Sequence, residues 1–298
     1  MMRRARLVMV MVVAAASLLL AGCLESKTVL LVQKDGSGTI EQTLYYPQTK
    51  MKPQAAEAPE GEKPDDLKTM QDQAAKAAEQ LGEGVKVKSV EQLPPKDGRK
   101  GVRGVFAFED LNKVRPNMFP MFAMVPGSGG TSGMKVGGGE AMTFAFTKSP
   151  TPKVTVTMPA FQTLKGAMPP APGGGEKPGA QGGEKPGAKD EDKPGGMDDA
   201  MADAMMTAMC KGMKLQFIVS VDGTITKTNA KYVNNKRDGV WLAYEDLDGL
   251  VKDKAAWEQM KAMGKLQDPK EIKAHLKDKD ISKYIMIDPN EKVEIEFE

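Results

Sequence analysis

Residues 27–46 read KTVLLVQKDGSGTIEQTLYY, and the order of residue types in that stretch decides the fold. Residues 28–32 and 39–46 are rich in Val, Leu, Ile, Thr and Tyr, types that fit a pleated, half-buried surface. Between them stands Asp35-Gly36-Ser37-Gly38, whose glycines tolerate the backbone angles of a tight reversal. Two strand-forming runs joined by such a turn predict an antiparallel hairpin. The same pattern recurs outward from it. Strands are predicted at 85–92 and 102–109, and another pair at 141–147 and 153–158. A second glycine hairpin is predicted at 215–221 and 224–230 around Asp222-Gly223, then a strand at 240–244. Its turn resembles the first closely enough to suggest a duplication. At the C-terminus Val293, Ile295 and Phe297 alternate with Glu294, Glu296 and Glu298, a half-buried strand with an acidic outer face.

Helices are fewer. Leu67, Met70, Ala74, Ala78 and Leu81 follow helical spacing, with Asp65 or Asp66 as N-cap and Gly82 as stop. A methionine-rich helix is predicted from about 198 to 211. Leu247, Leu250, Trp257 and Met260 predict a helix ending at Gly264. Asp268-Pro269-Lys270-Glu271 is a capping box that opens a short helix to Leu276. Strands outnumber helices and short turns join most neighbours. The predicted class is therefore α+β, a mostly antiparallel sheet packed with a few helices.

Gly/Pro-rich loops interrupt it. Residues 166–196 hold ten Gly and six Pro in 31 positions, and Gly174-Gly175-Glu176-Lys177-Pro178-Gly179-Ala180 recurs at 182–188. Residues 126–139 hold seven Gly in 14, and residues 47–65 are rich in Pro, Ala and Glu. Such compositions cannot bury enough apolar surface to offset the entropy of ordering, so disorder is predicted for all three. The expected organisation is a leader at 1–22, a first α+β half at 23–165, a linker at 166–196, and a second half at 197–298 sharing one sheet with the first.

The leader carries the clearest functional signal. Arg3, Arg4 and Arg6 precede an apolar run at residues 7–20, interrupted only by Ser17. Its 14 residues fall short of the roughly 20 that a spanning helix needs, but suit the core of a secretory signal. Leu20-Ala21-Gly22-Cys23 follows, and small residues ahead of a cysteine resemble the lipobox of bacterial lipoproteins. That resemblance implies a diacylglyceryl group on the Cys23 sulfur, cleavage before Cys23 and acylation (palmitate) of the new amino group. Several acyl chains anchor stably where one does not. Leu24 rather than Asp follows the cysteine, which by analogy implies the periplasmic face of the outer membrane in a two-membrane cell. Removing residues 1–22 leaves 39 basic residues against 40 acidic, a net charge of −1. No basic cluster is interleaved with aromatics, so no nucleic-acid partner is expected. With Cys23 lipidated, Cys210 is left without a disulfide partner.

Taken in order, the segments beyond the leader resemble an uncharacterised family of bacterial lipoproteins. The matching features are Asp35 to Ile40, Gly82-Glu83-Gly84-Val85, Gly101 through Asp110, Phe144-Ala145-Phe146 with Met158-Pro159, and Gly223 through Ala230. The hairpin-first layout is more distantly similar to mycobacterial LppM-type lipoproteins, which are linked to envelope lipids. The resemblance implies a fold and a location, and no catalytic residue.

Enzyme chemistry is poorly provided for. His275 is the only histidine, which closes off histidine triads and multi-histidine metal sites. No glycine run has phosphate-loop or dinucleotide spacing. Set on a calcium-loop template with Asp35 at position 3, the first hairpin puts Gln33 and Leu44 where carboxylates are needed, so it reads as a turn. The oddity is a stripe: Met197, Met201, Met205, Met209 and Met213 recur every four residues, beside Met206 and Cys210. Thioether and thiol ligands suit Cu(I). Methionine also fills irregular cores, and the chain has 22, Met118, Met121 and Met124 among them. The expected function is a lipid-anchored envelope protein, not an enzyme, with a binding or structural role at the membrane surface and no cofactor. Its partners would be the membrane, through the lipid on Cys23, and an envelope protein or lipid. The alternative is a soft-metal or amphiphile-binding protein using Met201, Met205, Met209 and Cys210 on helix 197–213.

Overall fold

A computed structural model describes residues 24–47, 66–116, 141–148, 150–158, 203–204, 207–208, 210–264 and 281–298. The leader, the predicted linker runs apart from Pro47, and the helix predicted at 268–276 lie outside them. The strands are β1 (Glu25–Val32), β2 (Gly38–Pro47), β3 (Lys86–Lys96), β4 (Arg99–Phe108), β5 (Thr143–Thr147), β6 (Lys153–Thr157), β7 (Lys214–Val221), β8 (Ile225–Thr228), β9 (Gly239–Asp246), β10 (Ile285–Ile287) and β11 (Lys292–Phe297). The helices with described bounds are α1 (Asp66–Leu81), α2 (Leu247–Lys252) and α3 (Lys254–Gly264), and Asp203, Ala204, Thr207, Ala208 and Cys210 of the predicted methionine-rich helix are also helical. The fold is α+β.

Seven strands form one sheet in the order β10-β9-β7-β1-β2-β4-β3, and four form a second, β5-β6-β11-β8. Every pairing among them is antiparallel except β1 with β7, which run parallel at the centre of the large sheet. The first hairpin forms as its sequence predicts. Asp35 Oδ1 accepts bonds from the Ser37 hydroxyl at 2.7 Å and the Ser37 N–H at 2.9 Å. Those bonds hold the Asp35 carboxyl below its ordinary range, so the turn itself employs the carboxylate.

Alternation along each strand fixes which side chains go inward. On the large sheet Leu30, Val32, Ile40, Phe106, Phe217 and Val219 are almost fully buried. They join Phe144, Val154, Val156, Ile225, Val293, Ile295 and Phe297 of the small sheet in one core. Helix α1 adds Met70, Ala74, Ala77, Ala78 and Leu81 to it, the alanines letting the helix approach closely. A second, smaller core gathers Leu250, Ala256, Trp257, Ile281 and Ile285 at the β10 side.

Two expectations are corrected. The predicted hairpin at 215–230 does not form: β7 and β8 lie in different sheets. Gly223, at φ +151°, turns the chain away from the large sheet, and Thr224 exchanges backbone bonds with Glu298 at 2.9 and 3.1 Å. β8 then pairs with β11, and the partner of β7 is β9. The likeness of the two glycine turns is therefore confined to the turns. The helix predicted up to Gly264 is two helices. Asp253 has extended φ/ψ of −92° and 99°, donates its N–H to the Gly249 and Leu250 carbonyls, and accepts from the Ala256 N–H at 3.2 Å. One residue ends α2 and caps α3, which breaks the rod.

Candidate functional site

Cys23, Leu20, Ala21 and Gly22 precede the described residues. The chain is locked into the sheet from the next position on: Leu24 is 5% exposed, and its carbonyl accepts from the Lys214 N–H at 2.8 Å. No stalk intervenes between the cysteine and the fold.

Of the methionine stripe, Met197, Met201, Met205 and Met209 lie outside the described residues. Its described member Met213 packs against the main core, and the adjacent Cys210 against the smaller one. Burial, with the nearby Glu245 carboxylate, pushes the Cys210 thiol up to about 11. A thiol that holds its proton at neutral pH is a poor nucleophile and must lose that proton to bind a soft metal. Among the described residues no three His, Cys, Asp or Glu side chains form a metal-binding group.

The described concavity is elsewhere. β9 carries Trp241 and Tyr244, whose rings meet edge to face with centroids 5.9 Å apart. The β8–β9 loop folds back beside Trp241, whose backbone N–H donates to the Tyr232 carbonyl at 2.9 Å. That loop is braced from within. Asn234 donates its side-chain N–H to Asp238 and accepts the Asp238 backbone N–H, while Asp288, 4% exposed, accepts the Lys231 N–H at 2.7 Å. The result is an open hollow of about 410 Å³ lined by Lys231, Tyr232, Asn234, Asn235, Trp241 and Met286, among others. The Lys231 ammonium stands over the Tyr232 ring, 4.8 Å from its centroid. The polar groups of the hollow are amides, a phenol and an ammonium. It is open to solvent, with aromatic and amide groups on its walls. In the sequence Trp241 and Tyr244 are no more than residues of a predicted strand, and nothing there marks the hollow.

No family model and no curated protein matches this chain. Among solved structures it is similar to the NMR structure of the folded domain of the Mycobacterium tuberculosis LppM protein. The identity is 12%, the match covers 74% of this chain and 81% of that one, and the TM-score is 0.29. At that level neither fold nor function carries across.

Proposed function

We propose that this chain is a lipid-anchored protein of the bacterial cell envelope with a non-catalytic binding or structural role at the membrane surface. One observation carries the reading: a basic start, 14 residues of apolar leader and Leu20-Ala21-Gly22-Cys23 end one residue before a strand that is already part of the sheet. A leader ending in small residues before a cysteine is what lipid attachment requires, and the direct start of the fold keeps the domain close to the lipid. No helix of the described residues is long and apolar enough to cross a membrane. In the proposed reading, acylation of Cys23 (palmitate in part) supplies the attachment, and the residue after it favours the periplasmic face of the outer membrane where a cell has one.

The test is Cys23→Ser. Wild type expressed with labelled fatty acid should take up the label and remain with membranes through salt and carbonate washes. The variant should take up none, and should either stay uncleaved or be released. A wild type without label, or a variant that keeps it, would refute the proposal.

A further inference from the structure

The large sheet has two faces, and both apolar cores lie against one of them; on the other Ile218 is buried at 8% exposure, while Val29, Leu31, Val105 and Trp241 are half-buried. Every large-sheet side chain in either apolar core belongs to the inner face, the one carrying Leu30, Ile40 and Phe217. The register places the others. Trp241, Ile218, Val29, Glu41 and Val105 form one row across β9, β7, β1, β2 and β4 on the outer face. Five strands at about 4.8 Å spacing make that row roughly 19 Å wide. Ser220, Leu31, Thr39 and Ala107 form the next row. Toward the start of β1 lie Tyr244, Gln216, Lys27, Thr43 and Arg103, then Asp246, Lys214, Glu25 and Tyr45. With Tyr232 at the hollow, four of the chain's seven Trp and Tyr residues gather here.

We infer that this outer face lies flat on a lipid bilayer, with Trp241 at the level of the headgroups. The inference rests on the proposed anchor at Cys23. Three observations lead to it. Trp and Tyr, with an apolar body and a polar tip, are the side chains that concentrate at membrane–water interfaces. The charge balance of the face also suits an anionic surface. Glu25 is paired with Lys96 and Arg99, Glu41 and Glu91 with Arg103, and Asp246 with Lys214. Arg103 is shared by two carboxylates and Arg99 also meets Asp97, so these paired groups sum to −1; Lys27 and Lys231, exposed and without an ion pair among the described residues, bring the set to +1. Finally, the leader and its cysteine end where this face begins, because Glu25 is its first residue.

Geometry separates lying from standing. Trp241 is level with Val29, four residues along β1 from Glu25, which is about 13 Å of strand. A domain standing on its strand ends would hold Trp241 that far above the anchor. Lying on the outer face brings both to the surface.

Tryptophan quenching by brominated lipid reads that difference. The acylated, mature protein is reconstituted in vesicles of phosphatidylcholine and phosphatidylglycerol in equal parts, with plain or brominated acyl chains. The chain has two tryptophans, and Trp257 is 7% exposed in the second core. In Trp257→Phe, which leaves Trp241 as sole reporter, brominated lipid should quench most of the emission and shift the rest to the blue. Trp241→Phe should show no quenching. Should Trp257→Phe fold poorly, the difference between wild type and Trp241→Phe gives the same quantity with the second core intact. Lys27→Glu combined with Lys231→Glu should still float with the vesicles but lose most of the quenching. Protein that floats while Trp241 stays unquenched would overturn the flat placement and leave the anchor standing; a second copy or a protein partner on the face would give that result. Protein that fails to float would overturn both.

Discussion

Gly38→Val should leave the protein unable to reach its native state. Gly38 opens β2 and sits between Val32 of β1 and Phe108 of β4. A Cβ there would stand 1.9 Å from the Leu31 carbonyl oxygen and 2.7 Å from the Phe108 ring. The ring could turn, but the carbonyl is backbone of a central strand and cannot move without parting β1 from β2. Losses above about 4 kcal/mol come from a short list of causes, and overpacking against a fixed backbone is among them. Gly98→Ala is the control. Gly98 stands in the β3–β4 turn at φ +74°, and a methyl group added there would meet nothing within 4 Å. Only the left-handed backbone opposes it, at about 1–2 kcal/mol. Urea unfolding followed by circular dichroism should show Gly98→Ala folded with an earlier midpoint and Gly38→Val without a cooperative transition. A Gly38→Val variant as stable as Gly98→Ala would mean that the hairpin can shift its register.

The difference between those glycines also shows which parts of the fold are local. The β1–β2 hairpin was legible because turn chemistry and alternation act over a few neighbouring residues, and β3, β4, β5 and β6 were legible as strands from composition alone. The expected β7–β8 hairpin fails because β8 answers to a distant strand: the Thr226 hydroxyl donates to the Glu296 carbonyl, 70 residues away. No window around Gly223 contains that partner. Asp253 reads as one more polar residue in a helical pattern, and its double role at the α2–α3 junction depends on bonds formed in both directions. The aromatic face was hidden for another reason. Trp241 and Tyr244 are three apart, and strict alternation sends such residues to opposite faces. The register of β9 slips by one between Phe217 and Ile218 of its partner, so both Leu242 and Ala243 turn inward and both rings turn outward. A bulge re-aims side chains in this way, and sequence alternation alone gives no sign of it.

Glu245→Gln should abolish a loss of stability that wild type suffers as pH rises. Glu245 shares its row with Leu215 and Ile285, both of them buried, and so points to the inner face near Cys210. No side-chain bond or ion pair meets it among the described residues, and burial alone pushes its carboxyl up from 4.5 to about 7. The sign follows from linkage. The folded protein holds this proton more tightly than the unfolded chain, so the group's contribution is fully present below about pH 4.5 and is lost as pH rises through about 7. The gap between those two values corresponds to a loss of at most about 3 kcal/mol, because part of the residue still reaches solvent. Glutamine copies the protonated side chain in shape and cannot ionise, so the variant should match wild type near pH 5 and exceed it near pH 9. Several carboxyls, Asp110, Asp248, Asp253 and Glu294 among them, are held below their ordinary range and act in the opposite sense on acidification. Their contributions are common to both proteins and cancel in the difference between the two. Urea titrations of wild type and variant at several pH values measure that difference directly. A difference that stays constant across this range would show that Glu245 ionises as freely in the fold as in the unfolded chain.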